Sequence, residues 1–202
     1  MTLWRGKYPL ILASQSRARQ TLLANAGINF EAVPAELDER ALQQTSGLSA
    51  PGDIAALLAR EKALAVSSQQ SGKFVVGADQ TLALGTRLFS KPASRAQAAE
   101  QLRALAGHGH ELHSAVAVAR DGKILFEAAA VARMTMRRIG EAEIDAYLDQ
   151  AGEVVTSSVG AYQLEGLGVH LFERIEGDHF TILGLPLLPL LAFLRSQRLL
   201  NV

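Results

Sequence analysis

The stretch Phe74-Val75-Val76-Gly77-Ala78-Asp79-Gln80 decides the fold class of this chain. Its aromatic and β-branched residues are typical of a short buried strand, which we expect to end in small residues and then a carboxylate. In open α/β sheets, ligands gather at the carboxyl ends of the strands. Asp79 is therefore the first candidate for chemistry, and a solvated carboxylate in a turn is the alternative.

The amino-acid composition limits which classes of protein this chain can belong to. The chain has 202 residues, 49% of them hydrophobic and 20% charged, which is ordinary for a soluble globular protein with one sizeable core. Its formal net charge is zero, so no overall field attracts nucleic acid or an anionic membrane, and neither is predicted as a partner. The absence of cysteine excludes disulfides and thiolate chemistry and fits a cytoplasmic protein. The longest apolar run, 182–194, contains two prolines and is too short to cross a membrane, so we assign it to the core.

Strand and helix patterns alternate along the chain, without an internal repeat or a clear linker. We therefore predict one domain over residues 1–202, with the possibility of two lobes. The predicted strands are 9–13, 29–33, 74–79, 81–84, 87–89, 112–119, 124–136 and 169–175. The predicted helices are 17–26, 53–67, 94–105, 139–150 and a last helix that opens at Leu185. Residues 43–52 are predicted to form a mobile loop, and 152–168 an irregular, glycine-rich segment.

A serine-rich turn joins the first predicted strand to the first helix. Ser14 or Ser16 can cap this helix, and Arg19 lies on its inner face. Backbone N–H groups, hydroxyls and a guanidinium would converge there on an oxyanion. An ordinary N-cap beside a solvated basic turn is the alternative, and the turn alone favours it.

Two further segments carry candidate charges. The acidic segment 36–40, which includes Glu39, either helps to hold a divalent cation or simply starts a helix. Lys62 falls close to the apolar stripe of the helix over 53–67. Either the aliphatic stem of Lys62 lies along the apolar surface and its amine reaches solvent, or its amine points at an anion.

Familiar catalytic motifs are absent from the sequence: there is no phosphate-binding loop, dinucleotide fingerprint, nucleophile elbow or zinc-protease motif. The three histidines of segment 108–113 are not predicted to bind metal, because a strand would place them on opposite faces. Dispersed charged and hydroxyl residues remain: Ser14, Ser16, Arg19, Glu39, Lys62, Asp79, Lys91 and Glu165. The carboxylates suit Mg²⁺ or Mn²⁺, and cations near a metal suit a polyphosphate. Such a site could polarise a phosphoryl group and activate water.

Taken in order, the residues resemble the Maf family of nucleotide pyrophosphatases, also called septum-formation inhibitors. The match extends over nearly the whole chain at family spacing. Its pieces are Leu12-Ala13-Ser14-x-Ser16-x-x-Arg19, Leu22-Leu23, Pro34 with Asp38-Glu39, Ala59-Arg60-Glu61-Lys62-Ala63, Gly77-Ala78-Asp79, Lys91-Pro92, Leu102 to His110, Gly160-Ala161-Tyr162, Glu165-Gly166 and Gly184-Leu185-Pro186-Leu187. Each piece alone is weak, and the ordered set is strong.

The resemblance implies a house-cleaning enzyme of nucleotide metabolism. Such enzymes cleave nucleoside triphosphates between the α- and β-phosphates, with a divalent cation, and release a monophosphate and pyrophosphate. The implied fold is α/β and Maf/ITPase-like: an elongated mixed β-sheet flanked by helices, with two lobes around a deep cleft, and a homodimer. Asp79 matches the proton acceptor, although a metal-ligand role stays open, and Glu39 would help to hold the metal. The implied phosphate-binding residues are Ser14, Ser16, Arg19, Lys62 and Lys91.

Departures from the family pattern bear on the substrate. Ala18 stands where many members carry an arginine. Gln80 and Glu165 are candidate substrate-binding residues, and both are more similar to the branch that acts on 7-methyl-GTP than to the dTTP/UTP branch. These two positions are therefore where the chain would select its base. A carboxylate at position 165 can accept hydrogen bonds from the guanine N1–H and N2 amine. Ser157-Ser158 matches neither branch, so the base preference stays open.

Two other functions compete with the enzyme. A nucleotide-binding regulator of septum formation would bind nucleotides tightly and turn them over negligibly. A hydrolase of phosphosugars or other phosphate esters would release orthophosphate instead of pyrophosphate.

Overall fold

The computed structural model describes residues 3–201, which form a mixed seven-stranded sheet flanked by helices. The strands are β1 Leu10–Leu12, β2 Phe30–Ala32, β3 Val75–Leu84, β4 Arg87–Phe89, β5 Gly109–Arg120, β6 Lys123–Met136 and β7 Phe172–Glu176. The helices are α1 Arg17–Asn25, α2 Glu39–Ser46, α3 Pro51–Ser67, α4 Arg95–Leu105, α5 Glu141–Ala151, α6 His179–Ile182 and α7 Leu187–Ser196. Three short 3₁₀ helices cover Gly152–Thr156, Val159–Ala161 and Leu167–Leu171. The predicted α/β class with a mixed sheet is confirmed.

The strand order is β2-β1-β3-β5-β6-β7, with β4 paired to β3. Strand β1 runs parallel to both β2 and β3, and its register with β3 ends at the pair Leu12 and Val76. Strand β3 continues to Leu84, because its last residues pair antiparallel with β4. The prediction that the strand ends at Asp79 is therefore wrong. Asp79 lies instead just beyond the point where the parallel neighbour β1 stops.

Several other predicted elements also differ from the structure; for example, the last helix begins at Leu187 rather than at Leu185. The loop predicted over 43–52 is mostly helical, because α2 extends to Ser46 and α3 begins at Pro51, a position that tolerates proline. The strand predicted over 169–175 begins only at Phe172, after a 3₁₀ helix. The short helix α6 was not predicted.

The chain divides into two compact units. The first contains the residues up to 80, 114–130 and those from 179 onward, and the second contains 81–113 and 131–178. The prediction of one domain over 1–202 also includes Met1, Thr2 and Val202, which lie outside the described residues.

The first unit has an apolar core on each face of its sheet. On one face, residues of β1, β3 and β5 pack with α1 and α7, as Leu12, Val76, Val116 and Leu190 illustrate. On the other face, alanines of α3 pack against alanines of β5. Helix α3 also lies directly on β3, since a Cβ at Gly77 would come within 2.1 Å of the Ala59 carbonyl oxygen. This close approach brings the side chains of α3 to the segment of β3 that carries Asp79.

The second unit is built around helices α4 and α5 and the short 3₁₀ helices. Its interior contains the imidazole of His110, which packs near the rings of Tyr162 and Phe172. The hydroxyl of Tyr147 donates to the Ala161 carbonyl oxygen at 3.2 Å. Aromatic and polar groups thus share the core of this unit.

Within residues 3–201, no helix has the length and apolar character needed to cross a membrane. The apolar run over 182–194 supplies core residues instead: Leu187, Leu190 and Leu194 of α7 are all buried. The assignment of this run to the core is confirmed.

Candidate active site

Asp79 is a buried carboxylate on the face of β3 that packs on α3. Only 7% of the residue is exposed, and its Oδ1 lies 2.6 Å from Lys62 Nζ. Burial raises the pKa of Asp79 above its ordinary value, while the nearby charges of Lys62 and Arg19 pull the pKa down. Desolvation is the larger effect, so this carboxyl group holds a proton more readily than an exposed aspartate does.

Lys62 joins Asp79 to a second carboxylate. Its Nζ lies 2.8 Å from Glu39 Oε1, and the Glu39 side chain is 51% exposed. Glu39 is the first residue of α2, whose N-cap Asp38 accepts a hydrogen bond from Ala41 N at 2.9 Å. The acidic segment therefore does start a helix, and it also brings Glu39 to Lys62. Lys62 is buried and bonded to two carboxylates, so neither an exposed amine nor an anion of a ligand is needed to explain its position.

The donor set fits a divalent cation. Asp79 Oδ1 and Glu39 Oε1 converge on one cationic centre, the Lys62 ammonium. Carboxylate oxygens are the donors that Mg²⁺ and Mn²⁺ prefer. Across the described part of the chain, no group of three or more histidines, aspartates and glutamates is placed to hold a metal. A cation on these two carboxylates would need further oxygen ligands from phosphate or water.

The serine-rich turn lies beside the same part of the sheet. Ser16 caps α1 by accepting from Arg19 N at 3.4 Å, as predicted. Ser14 Oγ accepts from Ser16 N at 3.2 Å and from Arg19 Nη1 at 3.1 Å. These two donors use both lone pairs of the Ser14 hydroxyl, so its proton is directed away from them. The Ser14 hydroxyl is thereby set to donate a hydrogen bond, which suits an oxyanion.

Arg19 is bonded to the protein itself. Its Nε donates to the Gly184 carbonyl oxygen at 2.8 Å, and its Nη1 donates to the Ala78 carbonyl oxygen at 2.9 Å. Burial lowers the pKa of the Arg19 guanidinium, against the opposing attraction of Asp79 and Glu39. Arg19 therefore links α1, β3 and the segment before α7, and its predicted contact with phosphate stays a prediction.

Gln80 points to the opposite face of β3 from Asp79. Its Nε2 lies 2.9 Å from Ser114 Oγ and 3.0 Å from each carbonyl oxygen of Thr181 and Ile182. Ser114 and Thr181 are fully buried. Sequence reasoning missed both partners, because they lie 34 and 101 residues from Gln80 and no motif connects them.

The structure places seven of the predicted site residues in the first unit: Ser14, Ser16, Arg19, Glu39, Lys62, Asp79 and Gln80. Lys91 and Glu165 belong to the second unit, where both are exposed. Lys91 follows β4, and Glu165 lies between two 3₁₀ helices. Their roles toward phosphate and base stay predictions.

Comparison with known proteins finds the same family that the sequence motifs resemble. The family described as Maf-like protein matches residues 9–197. The protein named nucleoside triphosphate pyrophosphatase in Bradyrhizobium diazoefficiens is 72% identical over 202 residues, 100% of each chain. Its namesake in Rhodopseudomonas palustris is 70% identical, also over 100% of each chain. The 7-methyl-GTP pyrophosphatase of Brucella abortus biovar 1 is 49% identical over 192 residues, 94% of this chain and 96% of that one.

Proposed function

Because the chain belongs to the Maf family, we propose that it is a nucleoside triphosphate pyrophosphatase that cleaves the bond between the α- and β-phosphates. The observation that carries the proposal is the buried contact of Asp79 with Lys62, beside the Ser14 hydroxyl and the Arg19 guanidinium. It places a basic carboxylate next to groups that bind anions. The products are a nucleoside monophosphate and pyrophosphate.

Asp79 acts as the general base. Its carboxylate takes a proton from the attacking water, the water oxygen bonds to the α-phosphorus, and the bond from that phosphorus to the bridging oxygen breaks. Pyrophosphate leaves with the bridging oxygen and its electron pair. A carboxylate whose pKa is raised by burial accepts a proton more readily at neutral pH, which supports this role.

The cations and hydroxyls of the turn bind the phosphates. Lys62 exchanges part of its contact with Glu39 and Asp79 for phosphate oxygens and neutralises the charge that develops on the leaving group. The Ser14 and Ser16 hydroxyls donate to phosphate oxygens, and the first turn of α1 adds backbone N–H groups. Lys91 and Arg19 supply further positive charge.

The proposal includes a divalent cation, Mg²⁺ or Mn²⁺, held by Glu39 together with oxygens of phosphate or water. Coordination by Asp79 is the alternative to its role as the base. When bound, such a cation stabilises negative charge on phosphoryl oxygens. Measuring the affinity of the protein for Mn²⁺ tests whether Asp79 is instead a metal ligand. If Asp79 only takes a proton, an Asp79→Asn variant keeps its Mn²⁺ affinity in the presence of nucleotide.

Modified guanine nucleotides are the proposed substrates, with 7-methyl-GTP among them. The name of the Brucella relative supports this choice, and a Glu165 carboxylate can accept hydrogen bonds from guanine. A cytoplasmic homodimer completes the proposal. The absence of cysteine supports the location.

The deciding experiment incubates the protein with dTTP, UTP, CTP, GTP and 7-methyl-GTP in the presence of Mg²⁺ or Mn²⁺. We expect pyrophosphate and the matching monophosphate, with 7-methyl-GTP cleaved best. Tight nucleotide binding without any product would favour the regulator of septum formation. Orthophosphate as the first product would favour the phosphate-ester hydrolase.

A further inference from the structure

A buried serine contacts the amide of Gln80. Ser114 of β5 is fully buried, and its Oγ lies 2.7 Å from the carbonyl oxygen of Thr181 and 2.9 Å from Gln80 Nε2. A carbonyl oxygen has no proton to donate, so the single proton of the Ser114 hydroxyl goes to Thr181. The Ser114 oxygen can then only accept a hydrogen bond from Gln80.

Two backbone carbonyls impose the same condition on the amide. The carbonyl oxygens of Thr181 and Ile182 each lie 3.0 Å from Gln80 Nε2. Thr181 already accepts from the Ser114 hydroxyl and from Gly184 N at 3.0 Å, so the two amide protons of Gln80 go to Ser114 and Ile182. An amide turned by 180° would place its own oxygen against three oxygens with no proton between them, which is costly where water does not reach. The amide therefore has one orientation.

This orientation decides what the other end of the amide offers to a ligand. Gln80 is only partly buried, and among the described residues no donor bonds to its amide oxygen, Oε1. A carbonyl oxygen has lone pairs and no proton, so a ligand group that bonds to Oε1 must be an N–H or O–H donor. A glutamine that could turn over would accept or donate equally well. The contacts of Nε2 thus make the side chain an acceptor toward a ligand.

We propose that Ser114 is a positioning residue that determines specificity: it holds the amide of Gln80, a candidate substrate-binding residue, so that Oε1 accepts a hydrogen bond from an N–H group of the nucleotide base. Ser114 acts through Gln80. The role rests on the proposed function, since it concerns which nucleotides the enzyme cleaves. A site that hydrogen-bonds one substrate group discriminates against bases that lack it, because its polar atom is then left unpaired. A loosened amide loses part of this discrimination.

The test is Ser114→Ala, which removes the buried hydroxyl. Its matched control is Ser67→Ala, because Ser67 is also a buried serine of the first unit: it ends α3, and its Oγ accepts from Gly122 N at 2.9 Å. Values of kcat/KM are measured for dTTP, UTP, CTP, GTP and 7-methyl-GTP, with enough enzyme to detect the poorest substrate. The ratio of the highest value to the lowest is the specificity ratio.

We expect Ser114→Ala to lower the specificity ratio about 3- to 10-fold, the effect of one hydrogen bond. The fall should come from the nucleotide that is cleaved best, while kcat/KM for the poorest one stays the same, because only the preferred base gains from the acceptor. Ser67→Ala should keep the wild-type ratio.

Each other outcome is decisive. If Ser114 only supports the fold, its replacement lowers kcat/KM for all nucleotides alike, and an unchanged specificity ratio would overturn the role of Ser114 alone. A wild type that cleaves all five nucleotides equally well would do the same. A wild type that releases no pyrophosphate from any nucleotide would overturn the proposed function and this role with it.

Circular dichroism shows whether Ser114→Ala is folded. If it is not, Ser114→Cys takes its place, because a thiol fills the space of the hydroxyl and is a weak donor and acceptor. A lowered specificity ratio in that variant would support the role, and a wild-type ratio would refute it.

Discussion

Both units of this protein bury a polar pair, and they do so in opposite ways. In the first unit, Asp79 and Lys62 are 7% and 8% exposed and meet as opposite charges at 2.6 Å. In the second, His110 is 2% exposed, and its Nε2 lies 2.7 Å from the hydroxyl of Tyr162. Among the described residues, His110 Nδ1 is the buried side-chain nitrogen or oxygen atom without a hydrogen-bond partner.

The difference shows what burial does to an ionisable group when a counter-charge is present or missing. With no charged partner, burial lowers the pKa of His110 to about 4 and raises the pKa of Tyr162, so both stay neutral at pH 7. Around Asp79, the charges of Lys62 and Arg19 oppose the desolvation. The His110–Tyr162 pair therefore contributes to packing, whereas the Asp79–Lys62 pair keeps charges that a reaction can use.

The largest expected effect is on turnover. Asp79→Asn removes the base but keeps the size of the side chain. Loss of a general base typically costs 10²- to 10⁴-fold, so we expect kcat to fall by about 100- to 10,000-fold. The thermal unfolding midpoint should show that the variant is still folded. Steady-state release of pyrophosphate measures this change. A folded variant with near-normal kcat would refute the assignment of Asp79 as the general base.

The matched substitution in the second unit is His110→Gln. This residue belongs to the neutral pair, so kcat at pH 7 should stay at the wild-type value. A fall comparable to that of Asp79→Asn would show that the two pairs are not functionally distinct.

The next effect is on stability and concerns pH. Because the pKa of His110 is depressed in the folded protein, from 6.5 to about 4, the unfolded state takes up the proton first as pH falls. The stability contributed by neutral His110 is therefore complete above pH 6.5 and is lost as pH drops toward 4. At about 1.4 kcal/mol per pKa unit, the loss amounts to about 3 kcal/mol.

Urea unfolding at several pH values, in the wild type and in His110→Gln, measures this contribution. The difference between the two free energies of unfolding isolates the histidine, since all other groups titrate alike in both. Parallel pH curves would contradict the neutral burial of His110.

The smallest effect separates two helix caps of the same kind. Ser16 accepts from Arg19 N at 3.4 Å in the first unit, and Ser94 accepts from Gln97 N at 3.3 Å in the second. Replacement of either serine by alanine should lower the free energy of unfolding by about 1 kcal/mol. Only Ser16→Ala should also raise KM for the nucleotide, because only that serine is proposed to bind phosphate. If the two variants have the same KM, Ser16 only caps its helix and does not bind phosphate.

Much of the fold could be predicted from short-range patterns. The helix caps at Ser16 and Ser94 and the apolar stripe of α3 depend on residues within a few positions of each other, so the sequence reveals them. The end of the strand at Asp79 could not be predicted in this way, because pairing with β4 lengthens β3 beyond it. The helical turns within 43–52 were missed, since a polar segment with proline and glycine is equally typical of a loop.

For the candidate site, the sequence indicated residues but not how their side chains are arranged. The ordered family motifs indicated Glu39, Lys62 and Asp79, and the structure brings their side chains together. The guanidinium of Arg19 is bonded to backbone carbonyls, and its predicted contact with phosphate stays a prediction. Hydrogen bonds to the carbonyl oxygens of distant segments cannot be predicted from the local sequence.

The sequence by itself determined most of the elements, the family and the candidate charges, because these depend on residue type and on spacing along the chain. Only the tertiary structure decided which charges meet. A glycine at position 77 lets α3 rest on β3, and that contact brings Lys62 to Asp79, 17 residues away. It also decided that Gln80 bonds to a segment about a hundred residues further on. Burial, pKa direction and hydrogen-bond partners arise from packing between distant elements, which no local pattern specifies.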